Sequence, residues 1–316
     1  MLDYLLLLIG LALLIKGADY LIDGSSSLAK KLGISSLVIG LTIVALGTSL
    51  PELIVNVYAS IEGNSELILG NIIGSNLFNL LLILGITAVI VPLSVQSSTT
   101  WKEIPFALLA SVVLLVQANK SLFGAGKDVL TRADGIILLF LLAIFVYYVF
   151  QLMKTSNEVV TDIHKHSNMA IALMLFGGLA ALFIGGRMTV GSAVNIARQL
   201  GISEFLISAT VIAAGTSLPE LITSIVAAMR KEMGISIGNI VGSNILNIFL
   251  ILGISSLISP IRVPAGIAFD LIFLVFSSLL LLAFILMGKK HQLKRWQGAV
   301  FILLFISYMS AIMIRG

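Results

Sequence analysis

The sequence predicts an all-α integral membrane protein: ten transmembrane helices in two inverted five-helix repeats, with broken helices at the α-repeat motif that each half carries. Three observations predict it. Of 316 residues, 59% are hydrophobic and 11% charged, and mean hydropathy is +1.12. Soluble chains carry about a quarter charged residues, so the bilayer has to be the solvent for much of this surface. Apolar runs of membrane-spanning length recur ten times, and two motifs of the first half return in the second at one fixed offset.

Apolar runs of roughly 17–25 residues read as spanning helices. In order they lie near 2–28, 36–59, 67–91, 103–119, 134–153, 168–197, 204–229, 235–258, 265–287 and 297–314. Polar or turn-rich stretches such as Ile61–Ser65 and Lys154–Ser167 separate them. The first run resembles a signal peptide only superficially. No basic region precedes Leu5–Ile15, and no small-residue cleavage site has the usual spacing.

The repeat is specific. Ala45-Leu-Gly-Thr-Ser-Leu-Pro-Glu-Leu-Ile54 recurs as Ala213-Ala-Gly-Thr-Ser-Leu-Pro-Glu-Leu-Ile222, and Gly70-Asn-Ile-Ile-Gly-Ser-Asn-Leu-Phe-Asn79 recurs as Gly238-Asn-Ile-Val-Gly-Ser-Asn-Ile-Leu-Asn247, both at an offset of 168. The same offset pairs Gly33 with Gly201, Gly85 with Gly253 and Pro92 with Pro260, and it maps the first span onto the sixth. Five spans per offset is an odd number, so the halves are expected to enter the membrane in opposite directions. The expected division is a first repeat at 1–153, a short cytoplasmic linker at 154–167 and a second, inverted repeat at 168–316. Architectures of this kind place their ion and substrate sites near the midplane. Loops after odd-numbered spans hold eleven Lys and Arg residues against six on the other side. The richer side is expected to be cytoplasmic, which leaves both termini extracellular.

Composition also excludes chemistry. There is no cysteine, hence no disulfide and no thiolate metal site. His164, His166 and His291 all lie in polar stretches between spans, which removes Ser-His catalysis and HExxH zinc chemistry from the membrane interior. An enzyme is therefore not expected, and neither is a cofactor. The net charge of +4 calls for no nucleic-acid partner, because the basic residues flank apolar spans. The Asp162-Ile-His-Lys-His166 run reads as a solvated loop rather than a metal site.

The motifs carry the chemistry. Glu52 and Glu220 stand within apolar spans, where a carboxylate costs at least about 2.5 kcal/mol unless it has a partner or lines a wet cavity. Thr48 and Ser49 precede Glu52 by four and three residues and share its helix face, as Thr216 and Ser217 do for Glu220. These are hard oxygen donors, suited to alkali and alkaline-earth cations rather than soft metals. Pro51 and Pro219 lack an N–H and disrupt the carbonyls of Gly47 and Gly215, so each span should break and expose backbone oxygens. In the second motif Asn71, Ser75 and Asn79 follow one another at four-residue spacing, as do Asn239, Ser243 and Asn247, and should complete a cation shell. Polar residues of this kind also serve as interhelical glue. For Asn71 and Asn239, near span ends, glue and ligand are equally good readings. Asp19, Asp23, Asp270 and Arg187 read as interfacial or locally paired.

With GTSLPE followed by GSNxxN in both halves, the chain resembles the cation/calcium exchanger superfamily in its sodium/calcium exchanger branch, as a prokaryotic member. The resemblance implies an antiporter of the plasma membrane that exchanges about three Na⁺ for each Ca²⁺ by alternating access, working as a monomer with Ca²⁺ and Na⁺ as substrates. It implies a ligand set of Glu52, Thr48, Ser49, Ala45 (through its carbonyl), Ser75 and Asn79, with Glu220, Thr216, Ser217, Ala213, Ser243 and Asn247 from the second half. The two glutamates are expected to meet at mid-membrane. The first and sixth spans are implied to slide past the remaining helices. Potassium-dependent members carry Asp where this chain has Asn247, so potassium-independent transport is expected. The linker is too short for the large regulatory domain of some members. The alternatives are an H⁺/Ca²⁺ or other cation exchanger, whose GNxxE is here GNIIG and GNIVG, and a passive cation channel.

Overall fold

A computed structural model describes residues 2–123, 126–155, 166–201, 213–287 and 291–315. Most of the linker, with His164 and Lys165, the start of the seventh predicted span, and Lys289 and Lys290 lie outside the described residues.

The chain is helical almost throughout. Its helices are α1 (Leu2–Leu32), α2 (Ser36–Thr48), α3 (Leu50–Ile61), α4 (Ser65–Ile90), α5 (Glu103–Ala118), α6 (Arg132–Thr155), α7 (Asn168–Gln199), α8 (Leu218–Met229), α9 (Met233–Ile258), α10 (Ile267–Leu286) and α11 (Arg295–Arg315). Eight spans among the described residues are long and apolar enough to cross a membrane, and α2 with α3, bent by 48°, makes a ninth. The seventh predicted span is described only from Ala213, as Ala213–Gly215 followed by α8. Exposed apolar side chains such as Phe140, Tyr147, Leu173, Phe176 and Leu303 suit a lipid surround.

Local backbone features recur at the offset of the motifs. Gly33 and Gly201 take left-handed φ of +65° and +75° and end α1 and α7. Behind Gly33 the Ile34 N–H reaches back to Ala29 O at 3.0 Å, the six-to-one bond that closes such a terminus. Ser49 (φ −85°, ψ 7°) and Ser217 (φ −93°, ψ 7°) depart from helical ψ at matching positions. Pro51 and Pro219 follow in the first turns of α3 and α8, where a missing N–H costs nothing. Both α4 and α9 widen into π-helix, over Phe78–Ile83 and, one residue past the offset, Asn247–Leu252. The two-residue strands β1 (Leu93–Ser94) and β3 (Ile261–Arg262) also correspond.

The described chain forms two compact units, residues 1–51 with 153–239 and residues 52–152 with 240–316. In the first unit α1 packs along α7. The contact is close because it is lined by glycine. A Cβ at Gly10 would stand 3.0 Å from Gly185 O, and one at Gly17 2.9 Å from Gly178 O. Leu14, Ala18 and Leu21 fill the seam and are fully buried. At one end of α1, Arg230 is paired with Asp19, at 2.7 Å, and with Asp23, while Ser26 donates to Glu232 at 2.8 Å. Asp19 and Asp23 are thus paired, with a partner that lies 211 and 207 residues away in the sequence.

In the second unit α4 and the body of α9 form the core, with Leu69, Ile72, Leu81, Ile245 and Phe249 buried. β1 pairs antiparallel with β4 (Gln292–Leu293), and β2 (Val129–Leu130) with β3. A feature the offset does not show joins the outer helices. Glu103, fully buried at the start of α5, accepts a hydrogen bond from Tyr148 of α6, and Phe106 stacks on Tyr148 at 5.6 Å. On the other side Asp270, near the start of α10, accepts from Tyr308 of α11 at 3.2 Å, and Phe273 stacks on Tyr308 at 5.0 Å.

Candidate functional site

In the first unit the residues around the breaks form one hydrogen-bonded cluster. Glu220 stands in the first turn of α8 and is 1% exposed. Within its broken span it therefore sits at a helix N-terminus, where free N–H groups and the helix dipole favour an anion. Ser49 donates to Glu220 Oε1 at 2.9 Å. Glu220 Oε2 is buried with no hydrogen-bond partner among the described residues, as is the Thr216 hydroxyl. Thr48 Oγ1 donates to Asn239 Oδ1 at 2.9 Å, and Asn239 Nδ2 donates to Ser224 Oγ at 3.0 Å. Ser236 donates to the Ser224 carbonyl at 2.8 Å. The Ala45 carbonyl accepts the Ser49 N–H at 3.1 Å and has the Thr48 hydroxyl at 3.4 Å. Ser217 is fully buried at the second break, and the Ala213 backbone opens the short helical turn before it.

The motif glycines have a role beyond loosening the chain. A Cβ at Gly47 would come within 2.5 Å of Leu179 Cδ2, and one at Gly215 within 2.7 Å of Val190 Cγ2. Both breaks thus pack directly against α7, at a distance that an added Cβ would crowd.

In the second unit Glu52 occupies the first turn of α3 and is 1% exposed. One turn on, Asn56 donates to the Glu52 carbonyl at 2.8 Å, and Ser60 donates to the Asn56 carbonyl at 2.6 Å. On α4 and α9, Ser75, Asn79, Ser243 and Asn247 are all buried. Asn79 Nδ2 donates to Asn244 Oδ1 at 3.0 Å, and Asn76 Nδ2 donates to the Ile72 carbonyl at 2.7 Å. The side-chain amide oxygens (Oδ1) of Asn56, Asn76, Asn79 and Asn247 are buried without a hydrogen-bond donor among the described residues. Each π-helical segment carries one of these residues in its first two positions, Asn79 or Asn247. Such insertions gather at functional sites.

Each unit thus holds one buried carboxylate with hydroxyl or amide oxygens. Buried polar atoms are nearly always satisfied. Several oxygen acceptors left without donors in an apolar interior are the complement of a dehydrated hard cation. Sequence reasoning passed over Asn56, Asn76, Ser224 and Asn244. Asn56 and Ser224 follow the glutamates by four residues in each half, which is a legible signal. Asn76 and Asn244 lie inside the quoted motif, and only the contact between α4 and α9 shows what they do.

Comparison with known proteins gives the family. The sodium/calcium exchanger protein family profile matches residues 2–151 and 170–314. The sodium/calcium exchanger MaX1 of Methanosarcina acetivorans is 32% identical, over 97% of this chain and 97% of its own. The inner membrane protein YrbG of Escherichia coli is 38% identical, over 81% of this chain and 79% of its own. A solved structure of the sodium-calcium exchanger NCX_Mj, soaked with zero Na⁺ and Ca²⁺, superposes with a TM-score of 0.83 at 34% identity, covering 98% of this chain and 99% of that one. On the strength of a profile spanning nearly its whole length, this multi-pass membrane chain belongs to the sodium/calcium exchanger protein family.

Proposed function

We propose that the chain is a secondary active antiporter that exchanges Na⁺ for Ca²⁺ across the cell membrane by alternating access. The observation that carries this reading is the buried oxygen set: Glu220 Oε2 and the amide oxygens of Asn79 and Asn247 have no hydrogen-bond donor among the described residues, in a chain whose sequence has no cysteine and no histidine within an apolar span. The ligands are Glu52, Thr48, Ser49, Ala45, Ser75 and Asn79, with Glu220, Thr216, Ser217, Ala213, Ser243 and Asn247. Kinship with MaX1 and NCX_Mj, both named as exchangers of these two ions, supports the choice of substrates.

The finer reading follows from charge and repeat. Two carboxylates neutralise one Ca²⁺, whereas about three Na⁺ leave one positive charge over, so exchange is electrogenic. Asn247 in place of a third acid makes it independent of K⁺. The protein has ten spans in two inverted five-helix repeats, 1–153 and 168–316, joined by a cytoplasmic linker at 154–167. Both termini are extracellular and a monomer suffices. Empty, the two acids are costly to carry through a low-dielectric barrier, so return without a cation is slow and the two fluxes are coupled.

Calcium uptake into proteoliposomes with the Na⁺ gradient imposed, reversed or absent tests this. Uptake should follow the Na⁺ gradient in sign and vanish without it. Uptake that follows a proton gradient instead would establish the proton-coupled alternative, and uptake indifferent to any counter-ion would establish a channel.

A further inference from the structure

We infer that Asn239 is a positioning residue for cation binding: it takes the proton of the Thr48 hydroxyl and so turns that oxygen's lone pairs toward the ion. The inference rests on the reading of Thr48 as a ligand. A hydroxyl has one proton and two lone pairs. Both lone pairs are available to a cation only if the proton is given to something else. Thr48 has three acceptors at hand. The Ala45 carbonyl is 3.4 Å away, beyond good hydrogen-bond distance. The Glu220 carboxylate also stands beside it, but a bond there would consume part of the charge the cation needs. Asn239 Oδ1, at 2.9 Å, is closer than the Ala45 carbonyl and is a neutral acceptor.

The amide is itself held in that orientation. Its Nδ2 donates to Ser224 Oγ at 3.0 Å and faces the Glu220 carbonyl at 3.5 Å, so Oδ1 must be the atom presented to Thr48. Ser224 lies one turn beyond Glu220, and its own carbonyl is fixed by Ser236 at 2.8 Å. Asn239 is fully buried, and it joins the ends of α2, α8 and α9 within the first unit. Only a side chain with an acceptor on one branch and a donor on the other does this. A hydrophobic residue of the same size would free the Thr48 proton to turn to Glu220. The polar residue left open between glue and ligand in the sequence is thus neither. It acts through Thr48.

The test is a double-mutant cycle on the full chain in proteoliposomes, reading the Ca²⁺ concentration at half-maximal uptake and the maximal rate separately. Asn239→Ala should raise the half-saturating concentration about tenfold, with the maximal rate within about twofold. Thr48→Val should raise it comparably, and the double variant should be no worse than Thr48→Val alone. If Asn239→Ala fails to fold, Ser224→Ala carries the test, because it loosens the amide without touching Thr48, and should raise half-saturation about threefold. Losses that add in full, or a fall in maximal rate with half-saturation unchanged, overturn the inference while leaving the ligand reading intact. A Thr48→Val protein with unaltered half-saturation removes the ligand reading itself, and the inference with it.

Discussion

Ser49 and Glu220 are 171 residues apart, yet the Ser49 hydroxyl lies 2.9 Å from Glu220 Oε1. A hydroxyl at the break of the first motif copy therefore meets the carboxylate of the second. The bond is charge-assisted and fully buried, in the class that matters most when one partner is lost. Glu220→Gln should reduce Na⁺-driven Ca²⁺ uptake about a hundredfold or more, since it removes a buried ligand charge. Ser49→Ala should cost about tenfold. Radiolabelled calcium flux checks both. A Glu220→Gln protein with wild-type flux removes the carboxylate from the site.

The two motif glycines should differ in their tolerance of a methyl group. At Gly47 the new Cβ meets the tip of Leu179, which can change rotamer. At Gly215 it meets Val190 Cγ2, on a β-branched side chain that is stiff within a helix. Overpacking costs about 1–3 kcal/mol, so Gly215→Ala should fall near the top of that range and Gly47→Ala near the bottom. Thermal unfolding in detergent, compared across the two variants, reads the order. Equal losses would mean that α7 shifts as a body instead.

The architecture was legible where it is written in periodicity. Apolar run length predicted the nine spans that the structure describes in full to within a few residues, and Pro51 predicted the break that falls at Ser49. The placement of Glu52 and Glu220 in the first turn of a new helix was only half legible. Proline marks an interruption, but it does not say whether the chain resumes as helix at once. The π-helical segments at Phe78–Ile83 and Asn247–Leu252 were not legible, since one extra residue per turn leaves no signature in composition. The Glu103–Tyr148 and Asp270–Tyr308 pairs escaped for a different reason. The offset of 168 carries Glu103 to Leu271 and Tyr148 to Gly316, so it does not align one pair with the other.

Those pairs should be mechanical rather than ion-binding. Tyr148→Phe removes the donor to a fully buried carboxylate and leaves Glu103 without that hydrogen bond. The cost is about 1–3 kcal/mol. It should appear as a lower melting temperature, with the half-saturating concentrations of Na⁺ and Ca²⁺ unchanged. A shift in either would give Glu103 a part in cation binding.

Outside the membrane, Asp128 tests electrostatics of a simpler kind. Its carboxylate accepts the Ser121 hydroxyl and the Ser121 N–H, the latter at 2.7 Å, and these bonds hold its pKa below the usual 3.8. A depressed folded-state value means that its stabilising contribution is complete above the ordinary value and is lost as pH falls through the depressed one. Asp128→Asn should therefore melt below wild type at neutral pH, and the gap should close as pH drops below about 4. A gap that stays constant with pH would show that the carboxylate's charge is immaterial there.

Charge counting makes the last prediction. With Glu52 and Glu220 as the only acids among the proposed ligands, the Ca²⁺-loaded form is neutral, and a form loaded with three Na⁺ carries one positive charge. Each cycle of Na⁺ entry and Ca²⁺ exit then moves one charge inward. A membrane potential supplies about 2.3 kcal/mol per charge per 100 mV, which shifts the equilibrium Ca²⁺ gradient about 50-fold. Proteoliposomes clamped at different potentials with a fixed Na⁺ gradient should reach final Ca²⁺ ratios that follow this slope. Replacing all K⁺, with the potential set by another ion, should leave them unchanged. A ratio that ignores the potential would mean two Na⁺ per Ca²⁺. A ratio that collapses without K⁺ would mean that an ion other than Na⁺ and Ca²⁺ completes the charge balance that Asn247, being neutral, leaves open.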